Sequence, residues 1–171
     1  MNIIKQFYEI DKQVKDLADK ISIDFKDLSS DETPIFICVL QGGGMFFHNL
    51  IKDLKIDCIT EYVRVKSYNG QNAGKVNIIS DVQIDLQGKY VYIIDDMIDT
   101  GSTMGKLLAH FSEKGVSGIK TVTLVERKEP AFKSDYCCFR NMGTEWFVGY
   151  GFDKDGKCRN YKNLYTIPKE K

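Results

Sequence analysis

The stretch from Tyr90 to Met104 constrains this chain more than any other part of it. Residues 90–94, Tyr-Val-Tyr-Ile-Ile, are apolar and rich in β-formers, with Gly88 just before them, and read as a buried strand. Three carboxylates follow, Asp95, Asp96 and Asp99. Thr100-Gly101-Ser102-Thr103 is a hydroxyl-rich turn relaxed by glycine, and a helix is expected from about Met104. Strand, turn and helix N-terminus together make an anion site, because backbone N–H groups converge there and the helix dipole favours negative charge. Carboxylates placed just ahead of it would repel a simple anion. They suit a ligand that carries a phosphate together with vicinal hydroxyls. The turn then takes the phosphate, and the acids accept hydrogen bonds from the hydroxyls or hold a divalent cation.

The 171 residues suit one domain with a sizeable core, and 43% hydrophobic with 28% charged residues excludes a disordered chain. Lys+Arg and Asp+Glu both number 24, so bulk charge gives no reason to expect a nucleic-acid or membrane partner. The cysteines, Cys38, Cys58, Cys137, Cys138 and Cys158, are odd in number and show no zinc-ligand spacing. They predict free thiols and a reducing compartment. The N-terminus lacks a basic region followed by an apolar run, and no apolar run reaches membrane-spanning length, so a cytoplasmic protein is expected.

Along the chain, residues 3–28 carry an apolar face at helical spacing, with Ser22–Asp24 a candidate interruption. Residues 35–40, Ile-Phe-Ile-Cys-Val-Leu, read as a buried parallel strand. Gln41-Gly42-Gly43-Gly44 follows, then a helix near 45–54; this is again a strand, a glycine turn and a helix that can admit a phosphate. Residues 56–65 alternate as a strand, 66–75 form a long polar hairpin loop, and 76–80 a second strand. A helix over 104–114 ends at Gly115, with Leu107, Leu108 and Phe111 inward. Residues 119–125 form another parallel strand, with Glu126-Arg127-Lys128 at its edge. His48 and His110 lie in no motif and read as structural and surface residues. Strands and helices alternate as an α/β fold with ligand loops at the C-terminal strand ends.

The run Asp95-Asp96-Met97-Ile98-Asp99-Thr100-Gly101-Ser102-Thr103, behind four apolar residues, resembles the phosphoribosyl-pyrophosphate loop of the type I phosphoribosyltransferases. Its Asp-Asp-Met-Ile-Asp-Thr-Gly core looks most like the 6-oxopurine branch, the hypoxanthine-guanine phosphoribosyltransferases. The resemblance covers roughly residues 30–167 and implies that family's fold over a single domain, 1–171. That fold is a central, mostly parallel twisted sheet flanked by helices, with a small hood from the chain ends and a mobile hairpin loop. The implied activity transfers the phosphoribosyl group to hypoxanthine or guanine, giving IMP or GMP and pyrophosphate. Magnesium is the implied cofactor, and a homodimer or homotetramer the implied assembly.

The same resemblance assigns roles to residues. Asp95 and Asp96 hold ribose hydroxyls and metal-bound waters, with Asp95 one methylene shorter than the family's usual Glu. Asp99 takes a proton from the purine, and Thr100, Gly101, Ser102 and Thr103, with Asp99, enclose the 5′-phosphate. Gln41, Gly42 and Arg159 face pyrophosphate, with a cis peptide at Leu40-Gln41; many relatives have Lys at position 41. Arg64 and Lys66 match basic positions beside it, and Lys66, Ser67 and Tyr68 form the mobile loop that excludes water. Trp146 stacks on the purine, Phe147 and Val148 read its edge through the backbone, and Asp153 holds magnesium. Arg127 falls where the family carries a Lys that donates to the 6-oxygen, with Lys128 one residue later. This departure leaves xanthine or adenine open as the base. A nucleotide-sensing regulator on the same fold is the other alternative; such a protein is expected to show a basic face or an added DNA-binding module, and these 171 residues offer neither a charge excess nor spare length for one. A plain partner-binding module would not explain so many ligand loops.

Overall fold

A computed structural model describes residues 1–28, 32–67, 76–128 and 132–168. In chain order the elements are β1 (Asn2–Lys5), α1 (Phe7–Asp27), β2 (Ile35–Leu40), α2 (Gly44–Asp53), β3 (Ile59–Ser67), β4 (Val76–Ser80), β5 (Tyr90–Ile98), α3 (Ser102–Ser112), β6 (Gly118–Arg127), β7 (Tyr136–Met142), β8 (Trp146–Val148) and β9 (Leu164–Ile167). Six strands form the main sheet in the order β4-β3-β2-β5-β6-β7, all parallel except the β3–β4 pair. The chain ends build the hood, a three-stranded antiparallel sheet β1-β9-β8.

The apolar run of β2 is continuous because both faces of a central parallel strand are covered. Phe36 and Cys38 face the cluster built with α1 and α2, where Val14, Ile21, Phe46 and Leu50 are buried. Ile35, Ile37 and Val39 face the opposite cluster, where Met104, Leu107 and Phe111 of α3 are buried. β5 repeats this alternation, with Tyr92 and Ile94 on the first face and Val91 and Ile93 on the second. The chain leaves β2 toward β3 on one side and leaves β5 toward β6 on the other. The order of strands therefore reverses between β2 and β5, and such a switch point opens a crevice at the C-terminal strand ends.

Three elements depart from the sequence expectation. The N-terminal helix does not begin at Ile3. Gln6 and Glu9 form a reciprocal capping box that starts α1 at Phe7, and Ile3 and Ile4 enter β1 instead. Phe7 and Tyr8, expected on the apolar face, are exposed. The candidate break at Ser22–Asp24 does not occur. Ser22 Oγ donates to the Ala18 carbonyl one turn back at 2.7 Å and accepts the Lys55 N–H at 2.9 Å, so helix and polar side chain coexist. The central strand does not stop at Ile94; it continues through both acids to Ile98, because β6 supplies a parallel ladder as far as Glu126. β3 begins at Ile59, three residues later than its alternating pattern suggested. Among the described residues no helix is long and apolar enough to cross a membrane.

Phe36 stacks on Tyr92 with ring centroids 4.5 Å apart and 11° between planes, and both are fully buried. Phe36→Ala is expected to destabilise the fold by about 3–5 kcal/mol, which urea unfolding monitored by circular dichroism will read.

Candidate active site

The crevice is built from the glycine loop upward. Gly42 lies against the acids of β5: a Cβ there would sit 1.9 Å from Asp96 Oδ2. Only glycine permits this approach. The Leu40-Gln41 peptide is cis, as the resemblance implied. Asp95 is buried, and its Oδ1 accepts the Asp96 N–H at 2.9 Å. Burial pushes the Asp95 carboxyl well above the ordinary carboxylate range, with the neighbouring Asp96 charge adding to the shift. Burial also raises Asp96, opposed in part by its contact with Asp95 and by the Arg159 charge.

Beyond Ile98 the chain turns through Asp99, Thr100 and Gly101 into α3. Gly101 has φ +88°, a left-handed conformation suited to glycine, and no side chain caps the helix. Thr100 Oγ1 and Ser102 Oγ are 3.0 Å apart, so two hydroxyls stand beside the N–H groups of the first turn. Acids, turn and glycine loop line one cavity of about 500 Å³ that includes Gly42, Asp95, Asp96, Asp99, Thr100–Thr103, Asp153 and Arg159.

A second cavity of about 230 Å³ adjoins it and is lined by Asp96, Met97, Asp99, Arg127, Trp146, Phe147, Phe152 and Asp153. The two share Asp96, Met97, Asp99 and Asp153. Arg127 ends β6 with its guanidinium 4.2 Å from the centre of the buried Phe147 ring. Its Nη1 donates to the Gly143 carbonyl, and its Nε lies 3.5 Å from Asp99 Oδ1. Burial lowers the Arg127 pKa from its usual value, opposed by the charges of Asp99 and Glu145. The Trp146 ring is half exposed and its Nε1 donates to the Asp153 carbonyl at 2.9 Å. Asp153 is also tied on its other side: Oδ1 is 2.5 Å from Arg159 Nη2, and Oδ2 accepts the Gly156 N–H at 2.7 Å.

The structure thus brings Asp95, Asp96, Asp99, Thr100, Gly101, Ser102, Thr103, Gly42, Arg127, Trp146, Phe147, Asp153 and Arg159 to two adjoining cavities. Gln41 is exposed and lines neither, and Arg64 is exposed at the neighbouring strand end. Val148 is buried in the hood, paired with Tyr165, and also lines neither cavity. Lys66 is exposed on β3, and Ser67 closes that strand, while Tyr68 lies outside the described residues, as does the rest of the expected hairpin loop through Lys75. Sequence reading missed Met97 and Phe152 as lining residues, since both look like ordinary core positions. It also missed Phe132, whose Cβ would be only 2.7 Å from a Cβ at Gly101.

The chain matches the phosphoribosyl transferase domain model over residues 3–154. It is 31% identical over 157 residues to a hypoxanthine-guanine-xanthine phosphoribosyltransferase of Tritrichomonas foetus, covering 89% of this chain and 83% of that protein. It is 31% identical over 171 residues to the hypoxanthine-guanine phosphoribosyltransferase of Streptococcus pneumoniae, covering 97% and 93%. Among solved structures it is similar to a hypoxanthine-guanine phosphoribosyltransferase from Bacillus anthracis, with a TM-score of 0.86 at 29% identity over 98% of each chain.

The raised Asp95–Asp96 pair carries a stability cost with a definite sign. The folded chain holds protons that the unfolded chain releases, so the pair's contribution declines as pH rises from about 4 through the raised folded value. Asp95→Asn removes a buried charge and keeps an acceptor for the Asp96 N–H. The ligand-free variant is expected to melt about 2–4 °C above the parent at neutral pH, with the gap narrowing toward acid, as read by scanning fluorimetry.

Proposed function

Because the chain belongs to the phosphoribosyltransferase family, in its hypoxanthine-guanine branch, we propose that it transfers the 5-phosphoribosyl group from phosphoribosyl pyrophosphate to a 6-oxopurine. One observation carries this reading. A cavity with a helix N-terminus and two acids, Asp95 buried and Asp96 half-buried, shares a wall with a cavity lined by an aromatic ring and a fixed guanidinium. A phosphorylated sugar fits the first, a planar base fits the second, and the reacting carbon lies where the two meet.

In this reading a purine ring nitrogen attacks C1 of the ribose, the C1–oxygen bond to pyrophosphate breaks, and the base gives up a proton. The Ser102–Met104 N–H groups and the hydroxyls of Thr100, Ser102 and Thr103 bind the 5′-phosphate. Asp95 and Asp96 accept from the ribose hydroxyls, which replaces their mutual repulsion with hydrogen bonds. Asp99, at the mouth of both cavities, takes the proton from N7 of the base. Trp146 covers the base, and Arg127 donates to its 6-oxygen. Arg127 does what a lysine does elsewhere in the family, from a different geometry: its guanidinium is planar and held by Phe147 and Gly143 rather than mobile on a flexible stem. Gly42 and Arg159 face the leaving pyrophosphate.

Magnesium fits this donor set. Asp95, Asp96 and Asp153 offer hard oxygens to one cavity, yet no group of three or more ligating side chains among the described residues forms a cage. Asp153 would hold such a metal, and Asp95 and Asp96 would reach it through water, with the remaining ligands left to substrate and solvent. When bound, it neutralises charge on the leaving pyrophosphate. Assembly as a homodimer or homotetramer belongs to the same proposal, and light scattering of the purified protein checks it.

The test is a base panel with magnesium and phosphoribosyl pyrophosphate, following pyrophosphate release. Hypoxanthine and guanine are expected to exceed adenine in kcat/KM by roughly 10²-fold or more, because an unmatched amino group faces a guanidinium that cannot accept a hydrogen bond. Xanthine turnover above both would move the base preference and leave the reaction; no turnover of any base would sink the proposal. Asp99→Asn is expected to retain substrate binding and lower kcat by about 10²–10⁴-fold, and an unchanged kcat removes Asp99 from the chemistry. Magnesium alone is expected to leave the melting temperature unmoved, whereas magnesium with phosphoribosyl pyrophosphate raises it.

A further inference from the structure

We propose that Glu126 is a positioning residue that couples the two cavities, holding Arg127 at the base and Phe132 beneath the phosphate turn. The proposal rests on the reading above for what the two cavities bind. Glu126 is only 2% exposed, and both carboxylate oxygens are engaged. Oε1 accepts the Ser134 N–H at 2.6 Å and the Ser134 hydroxyl; Oε2 takes Nη1 of Arg140. Arg140 Nη2 donates to the Ser134 carbonyl at 3.0 Å, so arginine and carboxylate grip the same residue. Ser134 has one hydroxyl proton and three oxygens in reach, including the Tyr136 carbonyl and Thr123 Oγ1, each at 2.9 Å. The charge-assisted bond to Glu126 is the strongest use of that proton, which makes Thr123 the donor to Ser134.

A buried ion pair is weak evidence for stability, since apolar side chains of similar volume serve as well; fixing one conformation is what it can add. Two contacts show which conformation is fixed here. On the β7 side, the ladder runs Val125 to Phe139 and then Arg127 to Met142, so β7 carries an extra residue over this step. Asn141, at φ 59°, takes up the bulge. The bulge brings the Met142 carbonyl to the Lys128 N–H at 3.1 Å and the Gly143 carbonyl to Arg127 Nη1. Arg140, next to Asn141, is the residue that Glu126 holds, so the pair pins the bulge that orients Arg127. On the other side, Ser134 lies two residues from Phe132. Phe132 packs in the α3 cluster and against Gly101, the residue that caps α3 at the phosphate turn. One carboxylate therefore anchors the link that touches the phosphate turn and the strand bulge that aims the base-reading arginine.

The test compares the parent chain and Glu126→Gln by calorimetry with three ligands: ribose 5-phosphate for the first cavity, hypoxanthine for the second, and IMP for both. Glu126→Gln is expected to weaken each partial ligand by about fivefold. IMP should then lose roughly the product, about 25-fold, because it spans both cavities. A purely structural role would lower the melting temperature and leave all three dissociation constants unchanged, and that result overturns the proposal. Weakening of only one partial ligand overturns it as well, since the carboxylate would then serve one cavity. If Glu126→Gln fails to fold, Arg140→Lys on the half-exposed rim keeps the charge and loses the two-nitrogen fork. It should weaken both partial ligands in the same sense, and unchanged constants count against the coupling. A parent chain that binds IMP and turns over base while the variants match it sinks only the coupling. A parent chain that does neither removes the reaction and the coupling together.

Discussion

A buried carboxylate, Asp95, stands next to a half-buried one, Asp96, near the end of β5, and the ligand-facing half of the molecule is arranged around the cost of keeping them there. Desolvation raises the affinity of both Asp95 and Asp96 for protons, and the neighbouring Asp96 charge adds to the shift at Asp95. No apolar residue relieves that pressure without removing the acceptors that a hydroxylated ligand needs. The protein contains it by close packing. Gly42 presses on the Asp96 carboxylate, and Gly151 approaches the Gly42 carbonyl so closely that a Cβ there would lie 2.5 Å from it. The first loop, the acid strand and the turn before Asp153 are thereby locked to one another. A side chain at Gly42 would displace the Asp96 carboxylate, and one at Gly151 would meet the Gly42 carbonyl.

Asp153 extends this arrangement to the smaller cavity. Its carbonyl accepts from Trp146, and its carboxylate pairs with Arg159. The backbone of one residue thus orients the aromatic ring of the smaller cavity, and its side chain orients the guanidinium of the larger. A ligand that pulls Arg159 or Asp153 toward itself acts on the ring across the same residue. Arg127 closes the remaining side, between the Phe147 face, the Gly143 carbonyl and the Asp99 carboxylate. A lysine at this position would need none of the three. The arginine fork has a plane, and a plane needs supports on its face and its edge.

Much of the molecule was legible in the chain because local chemistry and local geometry agree there. The β2 run is apolar at every position and is buried on both faces. The acids, the hydroxyl turn and the start of α3 follow one another in sequence and stay together in space, and the glycine turn after β2 joins them at the same cavity. Trp146, Phe147 and Asp153 line the smaller cavity together, whereas Val148 lies in the hood. The first strand was not legible: Ile3 and Ile4 continue the helical spacing of α1, and their partner β9 lies at the far end of the chain. Gln6 and Glu9 end the ambiguity by capping α1, a signal that Ser or Asp would have made plainer. The length of β5 was also hidden. Two acids look like the end of a strand until a neighbouring strand is present to carry the ladder past them.

The α/β class, the family, and the run of acids and hydroxyls that lines the larger cavity could all be read from the chain alone. Each of these rests on residues close in the chain, where spacing translates directly into geometry. How Arg127 is aimed, that Asp153 lines both cavities, and that Glu126 is satisfied by Ser134 and Arg140 emerge only once the chain is folded. These depend on which strands become neighbours and on a single extra residue in β7. A buried charge shows nothing of its partners in a one-dimensional pattern, because its partners are chosen by the packing of distant segments.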